Sequence, residues 1–314
     1  MTISVAAIVV TYNRKDLLER CLSSLLTQSR AVDQIFVIDN ASTDGTQEHL
    51  QAKGYLPNKT IKYVKLNHNG GGAGGFHEGM KQGFDAGFDW LWLMDDDGYP
   101  ALDCLEKQFT AQNTLDIIGA KVVQTDNPDA LTWTLICYDK QGYFSPRKRI
   151  KTLAELIKHS ENNIYFGYGL FFNAIMIHRS VIQQIGLVNE QLVIRGDEFE
   201  YFLRSRRSGL KIGTQIQATY YHPFQPFHIN DWKFFYTFRN LFYNYTQFPT
   251  VTYPSLLRWL YLIYNFFKYL SQSPSFHWRY LFHVLKAVGL ATQGKLLPYK
   301  LGNSPKPINT DVSS

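Results

Sequence analysis

Short apolar runs alternate with helix-periodic stretches through the first hundred residues, and this alternation limits the folds open to the chain. SVAAIVV (4–10), QIFVIDN (34–40), IKYVKLN (61–67) and DWLWLMD (89–95) are short and rich in β-branched or aromatic residues, as buried strands are. Between the first two, Leu17, Leu18, Cys21, Leu22, Leu25 and Leu26 recur at helical spacing, and helical stretches follow at 46–52 and 76–86. The succession predicts an α/β fold, a mostly parallel sheet with helices on both faces. Further along, 116–123 and 168–178 read as strands, with a loop-rich, basic excursion between them. A short helix follows at 179–186, then a second over 197–209 closed by Gly209. Beyond Pro226 the chain turns aromatic and helical, over 231–248, 255–271 and 277–290, before a polar tail at 303–314.

In open parallel sheets, ligands gather at the carboxyl ends of the strands. Here those ends carry Thr11-Tyr12-Asn13-Arg14, Asp39-Asn40, Asn67-His68-Asn69 and Asp95-Asp96-Asp97. LWLMDDDGYP (91–100) asks the most of its surroundings, because three adjacent carboxylates repel unless a positive group neutralises them. Hard carboxylate oxygens suit Mg2+ or Mn2+, and the alternating spacing of a calcium loop is absent. The competing reading is an acidic cap before a helix near Ala101. NHNGGGAGGFHEGM (67–80) has five glycines in six residues and opens a helix, so Gly71 and Gly72 could bring backbone amides against a phosphate. It matches neither the P-loop nor the dinucleotide fingerprint. Asp39 precedes a turn-rich stretch and is read as base or ribose recognition, or as a turn acid bound to its own backbone. Asp197, Glu198 and Glu200 open a helix whose dipole favours acids there; one of them could serve as a general base, with Arg204 orienting them. His222, alone among aromatics, reads more readily as a hydrogen-bonded core imidazole than as a ligand.

Composition excludes other classes. With 45% hydrophobic and 15% aromatic residues in 314, the chain can bury a full core. Cys21, Cys104 and Cys137 are scattered and odd in number, which argues for buried thiols in a reducing compartment. The net charge of +6 comes from local clusters, Arg147, Lys148, Arg149, Lys151 and Arg204, Arg206, Arg207, and a phosphate-bearing ligand accounts for it without nucleic acid. YFGYGLFF (165–172) lacks the opening of an RNA-binding strand and is read as core or sugar stacking. SLLRWLYLIYNFFKYL is interrupted by Arg258, Asn265 and Lys268 and falls short of the roughly 20 apolar residues of a membrane span. With no signal peptide recognised, a cytoplasmic protein is expected. The aromatic, basic C-terminal region, with Trp232, Lys233, Arg239, Arg258, Trp259, Lys268 and Trp278, reads either as a membrane-facing surface on the inner face of the cell membrane or as helices packed on the main domain or a partner subunit, such as a second copy.

Taken in order, VVTYNR, VIDNASTDGT, NGGGAGGF, LMDDD and IGLVNEQLVIRGDEFEYFLR, with a His 24 positions after Glu198, resemble the family 2 glycosyltransferases of GT-A fold. The resemblance covers residues 3 to about 245, and the glycine-rich stretch, triple Asp and final His look most like galactofuranosyltransferases, which use UDP-galactofuranose. It implies a catalytic domain over 1–226, with a nucleotide-sugar half to about 100 and an acceptor half after it, and a helical region over 227–302. It further implies that Thr11, Tyr12, Arg14 and Asp39 hold the uridine and phosphates, and that Asp95, Asp97 and His222 bind Mn2+ or Mg2+ with Asp96 beside the nucleotide or sugar. Glu198 falls at the position of the catalytic base, where the galactofuranosyl relatives commonly carry an Asp-Asp pair, so Asp197 and Glu198 both stand as bases. The reaction implied is inverting transfer from a UDP-sugar to a surface polysaccharide or lipid-linked glycan. The rivals are a rhamnosyltransferase using dTDP-rhamnose and a non-catalytic nucleotide-sugar-binding scaffold subunit.

Overall fold

The computed structural model describes residues 3–138, 144–224, 231–270 and 278–299. The 226/227 domain junction and the 303–314 tail lie outside the described residues. The first half runs β1 (Val5–Thr11), α1 (Lys15–Leu26), β2 (Gln34–Asp39), α2 (Thr46–Ala52), β3 (Ile61–Lys65), α3 (Gly71–Asp85) and β4 (Trp90–Asp95). It continues through β5 (Tyr99–Pro100), α4 (Cys104–Phe109), β6 (Ile117–Gln124), β7 (Leu135–Tyr138), β8 (Phe144–Ile150), α5 (Leu153–Lys158), β9 (Ile164–Phe166), β10 (Asn173–His178) and α6 (Arg179–Ile185). The last elements are α7 (Asp197–Arg207), β11 (Ile212–His222), α8 (Asp231–Gln247), α9 (Ser255–Leu270) and α10 (Trp278–Ala291).

Among the described residues a nine-stranded sheet has the order β3-β2-β1-β4-β10-β6-β11-β5, with β9 also on β11. β1 to β4 are mutually parallel, β10 runs antiparallel between β4 and β6, and β11 is parallel to β6. Strand periodicity divides the core in two. Val5, Ala7 and Val9 pack with Leu18, Leu22 and Leu25 of α1 on one face, and Ala6, Ile8 and Val10 pack with Ala73, Phe76 and Met80 of α3 on the other.

Four expectations are corrected. The helix expected at 76–86 begins at Gly71, because its glycines let it lie almost on the sheet: a Cβ at Gly75 would stand 2.4 Å from Val10 Cγ1, and one at Gly79 2.2 Å from Ile8 Cγ2. The strand expected at 168–178 is confined to Asn173–His178, since Phe172 takes a left-handed φ of 63° just before it, and Ala174, at 56°, shifts the register within it opposite β4. The loop-rich excursion contains a two-stranded sheet, β7 with β8, and Cys137 is only half-buried against the Tyr165 hydroxyl. In 165–172 the core reading holds for Phe171 and Phe172, which are buried, and Phe172 stacks on Phe76 at 3.9 Å.

Gly79→Val is expected to lower stability by about 3 kcal/mol, because Ile8 is a branched, fully buried strand residue that has no room to move. The measurement is the urea midpoint, and an unchanged midpoint would show that α3 stands off the sheet.

Candidate active site

Pairing of β5 with β11 builds the centre of the site. Tyr99 lies opposite Tyr221 and Pro100 opposite Tyr220, so the acidic turn after β4 is pinned beside the end of β11, which carries His222. Gly98 is needed there because any Cβ would meet the Tyr220 ring at 2.4 Å, and the Tyr220 hydroxyl donates to the Asp95 carbonyl at 3.1 Å. The result is that His222 Nε2 lies 3.0 Å from Asp97 Oδ1.

The other strand ends close round this pair. The Thr11 hydroxyl donates to Asp96 Oδ2 at 2.6 Å, and Arg14 bridges Asp96 Oδ1 at 3.1 Å and Asp97 Oδ2 at 2.8 Å. Tyr12 is half-buried between them in sequence. The 11–14 and 40–43 loops are cross-linked, the Asn13 amide donating to Ser42 Oγ and the Thr43 amide to Asn13 Oδ1. Asp39 is fully buried; its Oδ1 accepts from the Ser42 amide and its Oδ2 from the Tyr63 hydroxyl, so this acid is the anchor of a turn.

Electrostatics differ along the acidic turn. Burial pushes Asp95 well above the ordinary carboxyl range, with Asp97 and Asp96 adding repulsion. Burial also raises Asp96, against the pull of Arg14, to about 6. For Asp97, burial is outweighed by His222 and Arg14, and its pKa is lowered.

Donor chemistry at Asp97 and His222 fits a divalent cation. His222 Nδ1 is 2.8 Å from the Pro223 carbonyl, which can only accept, so the neutral ring carries its proton there and leaves a lone pair on Nε2. Asp97 Oδ1 is buried with no aligned hydrogen-bond partner among the described residues, although Nε2 is within ion-pair distance. With the ring neutral, Nε2 and Oδ1 at 3.0 Å can share a cation in the place of the proton that pairs them when the ring is charged. Asp95 is not gathered with them: among the described residues no group of three or more His, Cys, Asp or Glu side chains is close enough to hold a metal.

Asp197 and Glu198 approach from the other side, at the N-terminus of α7. Asp197 is buried, and burial followed by the neighbouring Glu198 raises its pKa well above the ordinary range. Glu198 is half-buried, and its Oε2 accepts from the Gly196 amide at 3.0 Å. Glu198 contributes to the rise of Asp95, and Asp95 in turn contributes to the rise of Asp197. Arg204 does not orient them; it pairs with Glu200 at 2.8 Å and donates to the carbonyls of Ile185 and Leu187. Glu200 thus faces a separate cavity of about 360 Å³ with Arg204 and Arg207.

The N-terminus of α3 meets α7 here. Gly71, with φ +72°, is pressed against Val193, whose carbonyl oxygen would lie 2.1 Å from any Cβ. The Gly71 amide donates to Asn69 Oδ1 and the Ala73 amide to the Val193 carbonyl. Of the two glycines expected to offer amides to a phosphate, Gly72 is the one whose amide has no partner among the described residues, and its Cβ position is 4.0 Å from Asp197 Oδ2.

Three contributions were not expected from the sequence. Trp133 packs on His222 with ring centroids 4.5 Å apart and is 37% exposed, so an aromatic face borders the imidazole. Arg20 donates to the Asp97 carbonyl at 3.3 Å. From α8, the buried Arg239, Asn240 and Asn244 donate to the carbonyls of residues 191–196, the stretch that leads into Asp197.

Residues 6–177 match the model of the family described as glycosyl transferase family 2. The chain is a family 2 glycosyltransferase. This glycosyltransferase is 34% identical over 231 residues to a protein named galactofuranosyltransferase GlfT1 of Mycobacterium tuberculosis, covering 71% of each chain. It is 31% identical over 227 residues to the protein of that name of Mycolicibacterium smegmatis, covering 70% of each. Its fold is similar to that of GalNAc-T7 solved with UDP, GalNAc and Mn2+ (TM-score 0.58, 14% identity, 79% of this chain and 50% of that one). It is also similar to residues 1–349 of S. aureus TarS in complex with UDP (TM-score 0.51, 17% identity, 77% of this chain and 65% of that one). These similarities to solved structures bear on the fold alone, which is a GT-A-like α/β sheet with an aromatic-rich helical C-terminal region. Among the described residues no helix is long and apolar enough to cross a membrane.

Proposed function

We propose that this glycosyltransferase moves galactofuranose from UDP-galactofuranose, with inversion, to a hydroxyl of a growing surface polysaccharide or its lipid-linked precursor. The likeness to the mycobacterial galactofuranosyltransferases supports the donor. The observation that carries the reaction type is that the acidic turn 95–97, whose Asp97 meets His222, lies within electrostatic reach of Asp197 and Glu198.

Glu198 takes the proton of the acceptor hydroxyl, whose oxygen attacks the anomeric carbon as the bond to the β-phosphate oxygen breaks and UDP leaves with the electron pair. Beside it, burial and the neighbouring Glu198 hold Asp197 toward its protonated form. Arg14 and the Gly72 amide face the negative charge that grows on the diphosphate, and Thr11, Tyr12 and the turn held by Asp39 form the nucleoside wall. Asp97 and His222 would hold Mn2+ or Mg2+, which when bound neutralises the leaving diphosphate.

A panel of nucleotide sugars assayed with Mn2+ tests this reading. Turnover is expected with UDP-galactofuranose, and it should be lost in EDTA and restored by Mn2+. Turnover of dTDP-rhamnose in its place would overturn the donor, and nucleotide binding with no transfer or hydrolysis of any sugar would support a scaffold.

A further inference from the structure

Helix α9 wears its apolar face outward. Leu256, Leu260, Ile263, Tyr264 and Phe267 recur at helical spacing along one side and are 50–71% exposed, with Trp259 beside them at 44%. Two polar groups lie inward: Asn265 is buried with its amide on the Tyr261 carbonyl, and Arg258 is half-buried, while Lys268 is exposed at the end of the helix. Phe282 and Leu285 of α10 are exposed as well, at 66% and 47%. An exposed apolar strip of this length is far larger than the scattered apolar residues of an ordinary surface and marks a contact site.

Charge identifies the contact. Residues 232–310 contain nine Lys or Arg and no Asp or Glu while the remainder is net acidic, so the excess positive charge lies here and not, as expected, in the clusters at 147–151 and 204–207. Two copies meeting through this region would set like charges together, whereas an anionic surface complements it. A helix of 16 residues is about 24 Å long, short of the roughly 30 Å hydrocarbon core, so it suits the plane of an interface with Trp and Tyr at headgroup level. We infer that the outward face of α9, extended by Phe282 and Leu285, docks the enzyme on an anionic lipid bilayer.

The full-length chain is tested by flotation with phosphatidylglycerol vesicles and with phosphatidylcholine vesicles. It is expected to float with the first and not the second, and to be released by salt. The double variant Ile263→Glu, Phe267→Glu should lower the bound fraction about tenfold, because both side chains leave water only in the lipid-bound state. Its circular-dichroism melt should be unchanged. Trp259 fluorescence should be quenched by brominated acyl chains, a signal absent from Trp259→Phe, which keeps the test informative if the double variant fails to fold. Wild-type chain that remains in buffer with phosphatidylglycerol overturns the inference. So does a wild-type dimer that the double variant converts to monomer without any vesicle binding, which would make a second copy the occupant. Neither readout uses donor or acceptor, so failure here leaves the transferase reading intact.

Discussion

Replacing Glu198 by Gln is expected to lower the transfer rate by about 10³-fold, roughly 4 kcal/mol of barrier, while UDP affinity measured by calorimetry stays within about twofold of wild type. The amide keeps the shape and can still accept from the Gly196 amide, but it cannot take a proton. Asp197 does not substitute for it. Burial and the adjacent Glu198 raise its pKa, which favours the protonated form over a base, and it is 4% exposed where Glu198 is half-buried. Asp197→Asn, which imitates the protonated acid, should therefore retain most activity, whereas a tenfold or greater loss that matches Glu198→Gln would make the two acids a single catalytic unit.

The same assignment fixes a pH dependence of stability. A carboxyl whose folded pKa is raised binds its proton more tightly in the folded state. Its burden is nil below the unfolded value near 4 and grows as pH rises toward the folded value. Asp197→Asn should accordingly gain stability over wild type as pH climbs from about 4 through neutrality. An equal offset at every pH in denaturant titrations would mean that the native acid is already ionised.

Strand ends made half of this site legible. Thr11, Arg14 and the aspartates at 95–97 each follow an apolar run, and in a parallel sheet that position decides where side chains converge. β11 was hidden because its interior is polar: Thr214 and Gln215 are buried, yet each is satisfied, by the Tyr168 carbonyl and the Thr110 hydroxyl. Without β11 there is no route from His222 to Asp97, and its place in the ligand pair rested on resemblance alone. Glycine propensity pointed to a loop before residue 76, whereas close packing on Val10 and Ile8 makes that stretch helical. Trp133 and the α8 amides are joined to the site only by tertiary contact, and no local pattern announces them.

Those amides carry the second large expectation. Val193, Arg195 and Gly196 all hold left-handed φ, at 66°, 59° and 96°, immediately before the two acids, and a backbone of that kind persists only where its surroundings fix it. Asn240 does so with one side chain: its Nδ2 lies 2.9 Å, 3.0 Å and 2.7 Å from the carbonyls of Leu192, Ile194 and Arg195, and its Oδ1 accepts from Arg239. Asn240→Ala takes the Asn240 donor from the carbonyls of Ile194 and Arg195 and the acceptor from Arg239 Nε, at about 1–3 kcal/mol for each group, so a loss of about 3 kcal/mol or more is expected in denaturant titration. Asn240→Asp separates position from stability. It keeps the acceptor for Arg239, whose pKa burial lowers only to about 10, so the pair is charged at neutral pH, but it removes both donors that hold the loop. Its turnover should fall about 10- to 100-fold with the donor KM little changed, because the loop aims Glu198 and does not touch the nucleotide wall. A wild-type turnover in Asn240→Asp would mean that α7 is held by its own sheet contacts and that the C-terminal helices serve only the surface they present.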